Sequence, residues 1–212
     1  MVDYKYKVLW FIPRSGSTSF VEFLSKKYNI QNNYELFGQW NSEKIIQKGL
    51  QKKSVIKIQS EQFNLHKNII LPILEESEIL VMIPRDCVQS YTSFIIAYTN
   101  SKRHQFKKDF FRPKDSNFKQ EFSFISKEEA LFALNFYSSL VESWIDNFKY
   151  FSKGKLVRIN MLEHKPVWKL EEKIELIEDW DVIENHIHKK GFPLWEKVMT
   201  LIQNMETYDF TE

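Results

Sequence analysis

The chain has one cysteine among its 212 residues, Cys87, so no disulfide can close within it. A reducing compartment is the simple reading. No apolar run of signal or membrane length stands at the amino terminus. Met1 to Lys7 is charged, and the run Val8 to Pro13 is too short for a signal core or a span. A soluble, cytoplasmic protein with no membrane span is expected. Charge of one sign is missing too: 30 Lys and Arg face 28 Asp and Glu, a formal net charge of +2. That balance does not suggest a nucleic-acid partner, and any positive field must be local. Glycine is scarce, at 5, and there is no repeat or low-complexity linker. Hydrophobic residues make up 43% and aromatics 16%. This composition suits a globular chain, and residues 1–212 read as a single domain.

Lys7 to Ile12 (KVLWFI) is a continuous apolar run, which suits a strand buried on both faces of a parallel sheet. A small-residue turn follows at Pro13–Thr18. Phe20, Phe23 and Leu24 then recur at helical spacing up to Tyr28. Ser54–Gln59 and Glu78–Ile83 read as further strands. Leu65–Glu75 between them reads as a helix that Pro72 starts or kinks. Val88–Tyr98 has a helical pattern.

The stretch Thr99 to Phe124 is polar and basic, with Lys102, Arg103, Lys107, Lys108, Arg112 and Lys114. It reads as a long loop, a lid or acceptor loop over 99–125. Ser126-Lys127-Glu128-Glu129 is a capping box that opens a long helix. Lys155–Ile159 is a fourth strand. Strands alternating with helices predict an α/β fold, three-layered, with a mainly parallel sheet and helices on both faces.

Pro13-Arg14-Ser15-Gly16-Ser17-Thr18 follows the first strand and opens a helix. In an open α/β sheet, ligands bind beyond the carboxyl ends of the strands. Gly16 lets the backbone approach an anion. The helix amino terminus, the hydroxyls of Ser15, Ser17 and Thr18, and the Arg14 guanidinium all favour negative charge. A nucleotidase loop needs G-x-x-x-x-G-K-(S/T); here Phe11 stands at the first glycine and Ser17 at the lysine. Taken alone, the motif fits an anion site and an ordinary glycine turn about equally.

The same residues resemble the 5′-phosphosulfate loop of sulfotransferases that use 3′-phosphoadenosine 5′-phosphosulfate (PAPS). The family pattern Pro-(Lys/Arg)-(Ser/Thr)-Gly-(Ser/Thr)-(Ser/Thr) is matched at every position. The resemblance implies that Arg14, Ser15, Gly16, Ser17 and Thr18 hold the phosphosulfate. Family members also carry an Arg at the end of the third strand and a Ser eight residues later, both on the 3′-phosphate. Arg85 and Ser93 have that spacing, with Ser90 as a nearby competitor. Outside the cytosolic small-molecule group, many members use a Glu about twenty residues after the loop arginine as catalytic base. Glu35 lies 21 residues after Arg14.

The cytosolic group resembles V-x-K-x-H in the second strand, with the His as base. This chain reads Val55-Ile56-Lys57-Ile58-Gln59. The lysine is retained, and Gln59 cannot accept a proton, so Glu35 is the natural base. Lys57 is placed to stabilise charge at the sulfuryl group. Ser19 stands where the cytosolic group has a Trp. Lys189-Lys190-Gly191 matches the family's late R-K-G element loosely, as Met161-Leu162-Glu163 does its Y-E-D-L segment.

The resemblance thus implies an enzyme that moves a sulfuryl group from PAPS to a hydroxyl or amine, such as one on a carbohydrate. Adenosine 3′,5′-bisphosphate would leave, and no metal would be required. The pair His186 and His188 lacks a clear third ligand. A kinase-like phosphotransferase and a non-catalytic nucleotide-binding protein are the other classes.

Overall fold

A computed structural model of the chain describes residues 4–33, 36–38, 41, 43–50, 52–84, 86–103, 124–157 and 174–208. Glu35 and Arg85, most of the basic stretch (104–123) and the 161–163 segment lie outside these residues. The fold is α/β. Strands β1 (Tyr6–Phe11), β2 (Gln31–Asn33), β3 (Ser54–Ile58), β4 (Ser77–Met82) and β5 (Lys155–Val157) form one all-parallel sheet in the order β2-β3-β1-β4-β5. The described residues divide into two compact units. The first comprises Met1–Arg85, Leu140–His164 and Glu196–Glu212; the second comprises Asp86–Ser139 and Lys165–Trp195.

The first unit is built on β1, whose two faces are both covered. Leu9 and Phe11 pack with Phe20, Val21 and Leu24 of α1 (Ser17–Tyr28). Trp10, one residue out of phase, meets Phe63 of α3 (Ser60–Glu75) at 6.0 Å and stacks on Phe151 at 4.0 Å. Alternation along a strand therefore puts α1 and α3 on opposite faces of the sheet. Each such fully buried side chain contributes ~1.5–3 kcal/mol of hydrophobic stabilisation. Asn29 ends α1 in the left-handed conformation (φ 49°), with Lys26 and Lys27 in the last turn to complement the helix dipole. At the sheet's β5 edge, the backbone of Leu156 pairs with Glu206 and Tyr208.

Three elements differ from the sequence-based expectation. Gln31–Asn33 forms an edge strand although it is wholly polar, held by parallel pairing with β3, and the short helix α2 (Glu43–Gly49) follows it. The helix α3 begins at Ser60, five residues before Leu65, because Gln59 and Gln62 form a reciprocal capping box. It breaks at His66 (φ −118°) rather than at Pro72, which sits inside its second part.

The third difference lies in the second unit. The helix α4 (Cys87–Arg103) continues through Thr99–Arg103, so the loop expected over 99–125 does not start at its predicted point. The Asn100 amide donates to the Ile96 carbonyl at 2.8 Å, which lets a buried polar residue stay helical. The aromatic side chains of α4 pack against α5 (Lys127–Asn147): Phe94 stacks on Tyr137 at 4.6 Å, and Tyr91 meets the same ring edge-on at 4.7 Å. The capping box forms as expected, with Glu129 accepting from the Ser126 N–H and the Glu129 N–H donating to the Ser126 hydroxyl. No helix among the described residues is long and apolar enough to cross a membrane.

Candidate functional site

The loop Pro13–Thr18 leaves the carboxyl end of β1, where the Ile12 N–H still pairs with the Met82 carbonyl. Two of its residues hold the left-handed backbone that turns the chain into α1. Arg14 has φ 70° and Gly16 has φ 78°. Glycine adopts this conformation freely, whereas for arginine it is strained. Strain of this kind concentrates at functional sites.

Gly16 is the residue that caps α1, so the cap itself offers no side chain to the first amides of the helix. The first turn holds no acidic residue. Amides at this end have no acceptor within the helix and, with the helix dipole, form a positive end. A Cβ added at Gly16 would meet nothing within 4 Å among the described residues, so the space beside Gly16 is open.

The hydroxyls divide by environment. Ser15 is fully buried, and its Oγ has no hydrogen-bond partner among the described residues. Ser17 is also buried, and Thr18 is half-buried. Leaving a hydroxyl buried and unpaired costs ~1–3 kcal/mol, so a partner for Ser15 supplied by a bound anion would recover stability.

Lys57 joins the loop from β3. Its Nζ donates to Thr18 Oγ1 at 3.1 Å and lies 5.3 Å from the centre of the Phe11 ring. The side chain is only 6% exposed, an unusual depth for an ammonium. The adjacent strands β1 and β3 lead into helices on opposite faces of the sheet. A crevice between two such strand ends is where ligands bind in open α/β sheets. Lys57, Thr18 and the loop meet at that crevice.

The remaining predicted residues have different settings. Gln59 is engaged in capping α3, so its amide has a structural role. Glu61, in the first turn of α3, was not singled out in the sequence. Partial desolvation raises its carboxyl above the ordinary range, and a lone Glu after a strand carries no sequence signal of that.

Ser93 is half-buried on α4 in the second unit. Its competitor Ser90 is buried and donates to the Asp86 carbonyl. The Asp86 carboxylate accepts from the Gln89 N–H at 2.8 Å, capping α4. Among the described residues, no group of three or more His, Cys, Asp or Glu is arranged to hold a metal. The His186 ring bonds to the Val182 carbonyl, and His188 stacks on Phe192.

No family model, curated protein or solved structure matches this chain.

Proposed function

We propose that the protein is a sulfotransferase that moves a sulfuryl group from PAPS to a hydroxyl or amine of a small-molecule or carbohydrate acceptor. The observation that carries this reading is the open, positively biased loop Pro13–Thr18, joined to the buried Lys57 by its bond to Thr18. Loop amides, the Ser15 hydroxyl and Arg14 take the 5′-phosphosulfate, with Arg85 and Ser93 on the 3′-phosphate.

Glu35 takes the proton from the acceptor, whose oxygen or nitrogen forms the new bond to sulfur. The bond from sulfur to the bridging oxygen breaks, and adenosine 3′,5′-bisphosphate leaves with the electron pair. Arg14, Lys57 and the amides meet the charge that grows on that oxygen, a preorganised arrangement that lowers the barrier. No metal enters the scheme. The single buried Cys87 fits a reducing, cytoplasmic setting.

Thermal unfolding with adenosine 3′,5′-bisphosphate, ATP, ADP and AMP tests the reading. A ligand at 100 times its Kd stabilises the folded state by ~2.7 kcal/mol, so the bisphosphate should raise the melting temperature and the others far less. Preference for ATP would move the protein to the phosphotransferases. Tight bisphosphate binding with no transfer to any of a broad acceptor panel would leave a nucleotide-binding protein.

A further inference from the structure

In the first unit, a short 3-10 turn (Phe148–Tyr150) follows α5 and is pinned to the core on either side of Tyr150. The Phe148 ring packs on Trp144 at 5.3 Å, and Phe151 stacks on Trp10 at 4.0 Å. The Phe151 N–H donates to the Phe148 carbonyl at 2.8 Å. Tyr150 is half-buried between these anchors, with its ring 5.2 Å from that of Phe63 on α3. The Asn147 amide donates to Asn64 of α3 at 2.9 Å, which fixes the turn against that helix. We propose that Tyr150 is a covalent modification site, a nucleophilic phenol that attacks an anionic reagent at an electrophilic sulfur(VI) centre. The site stands independently of PAPS and of the Pro13–Thr18 loop.

Two ammonium groups converge on this phenol. Lys67 Nζ donates to Tyr150 Oη at 2.8 Å and lies 4.5 Å from the centre of its ring. Lys149 Nζ lies 5.2 Å from the same centre. Among the described residues, neither lysine forms an ion pair with a carboxylate. Other charges nearby do not cancel them. On α3, His66 lies against the Phe37 ring at 5.8 Å, and Glu61 and Glu75 stand more than a turn from Lys67. Along the chain, the next charges around Lys149 and Tyr150 are Asp146 and Lys153, one of each sign.

The Lys67 ammonium is the donor, so ionisation of the phenol leaves a phenolate bonded to a cation. That bond, with the field of Lys149, outweighs desolvation and holds the phenol below its ordinary value of 10.0. A phenol so lowered, in a fixed position, is an activated nucleophile. The two positive charges also draw an anionic reagent to it. In the step, the phenol gives its proton to solvent and its oxygen forms a bond to sulfur. The bond from sulfur to the leaving group breaks, and that group departs with the electron pair.

The probe 4-(fluorosulfonyl)benzoate combines a negative carboxylate with a sulfonyl fluoride, whose fluoride is the leaving group. Timed labelling of the full chain at about pH 8, read by peptide mass spectrometry, should modify Tyr150 at least ~tenfold faster than the exposed Tyr4. Lys67→Leu should slow Tyr150 about fivefold or more and leave Tyr4 unchanged, whereas Lys67→Arg should keep most of the rate. The difference in near-ultraviolet absorbance between the native chain and Tyr150→Phe, followed against pH, should show this phenol ionising below 10.0. That titration needs no Lys67 variant, so it holds even where Lys67→Leu fails to fold. Equal labelling of Tyr150 and Tyr4, label on Lys67 in place of Tyr150, a Tyr150 rate unchanged in Lys67→Leu, or ionisation at the ordinary value would each overturn the proposal. The labelling contains no sulfate donor, so its outcome is separate from the test with adenosine 3′,5′-bisphosphate.

Discussion

Lys57 and Thr18 are 39 residues apart in the chain, yet the lysine's ammonium donates to the threonine's hydroxyl at 3.1 Å. The bond ties the second central strand to the first turn of the helix after the loop. It also fixes a buried positive charge beside the open end of that helix.

Lys57→Met separates the fold from the function of this contact. Replacing a buried charge by an apolar side chain of similar length is often neutral or stabilising, so the melting temperature should hold or rise. Transfer of labelled sulfuryl groups from PAPS should fall by ~10²-fold or more, the usual cost of losing a preorganised charge. Wild-type turnover in this variant would remove Lys57 from the mechanism.

Arg14→Gly should have opposite effects on stability and binding. Relieving the positive φ should add roughly 1 kcal/mol, a rise of about 2–4 °C in melting temperature for a chain of this size. The stabilisation given by adenosine 3′,5′-bisphosphate should shrink sharply. A variant that is less stable without ligand would show that the Arg14 side chain holds the loop together in the empty state.

Ser15→Ala removes a buried hydroxyl that has no hydrogen-bond partner among the described residues. Without ligand the variant should match or exceed the native stability by about 1 kcal/mol. Its affinity for the bisphosphate should be about fivefold to tenfold weaker, measured by calorimetry. Unchanged affinity would mean that the hydroxyl does not meet the ligand.

Cys87 should be inert in the folded protein. Burial and the nearby Asp86 carboxylate push its thiol up to about 12 from 9.0. Its thiolate fraction near pH 8 is then ~10⁻⁴, so a disulfide reagent should react only as the protein unfolds. Ionisation is withheld in the native state, so the thiol's contribution to stability is intact below pH 9 and is lost as pH rises from 9 towards 12. Rapid modification of native protein at neutral pH would contradict this burial.

Much of the first unit was legible in the sequence because its signals are local. The apolar run of β1, the apolar spacing of α1 and the glycine between them each carry their own pattern. The Ser126 and Glu129 capping box was legible for the same reason. The strand β2 was not, since Gln31-Asn32-Asn33 has no apolar alternation and depends on its neighbour β3. The true start of α3 was hidden because glutamine is an uncommon cap. Thr99 and Asn100 have a loop-like composition, and only the Asn100 bond to Ile96 shows why the helix runs through them.

At the site, the loop could be read from spacing, and Lys57 could be marked through the resemblance. Their meeting could not, because it depends on the pairing of β1 with β3.

Trp10 and Trp144 are fully buried, with ring centroids 6.2 Å apart and planes 14° from parallel. Two indoles this close share their ultraviolet excitation, so the pair should give a coupled band in the near-ultraviolet circular dichroism spectrum. Trp10 belongs to the strand that feeds the Pro13–Thr18 loop. The chain therefore carries an optical gauge of whether that strand is seated, and Trp144→Phe should abolish the coupled band while leaving the far-ultraviolet spectrum in place.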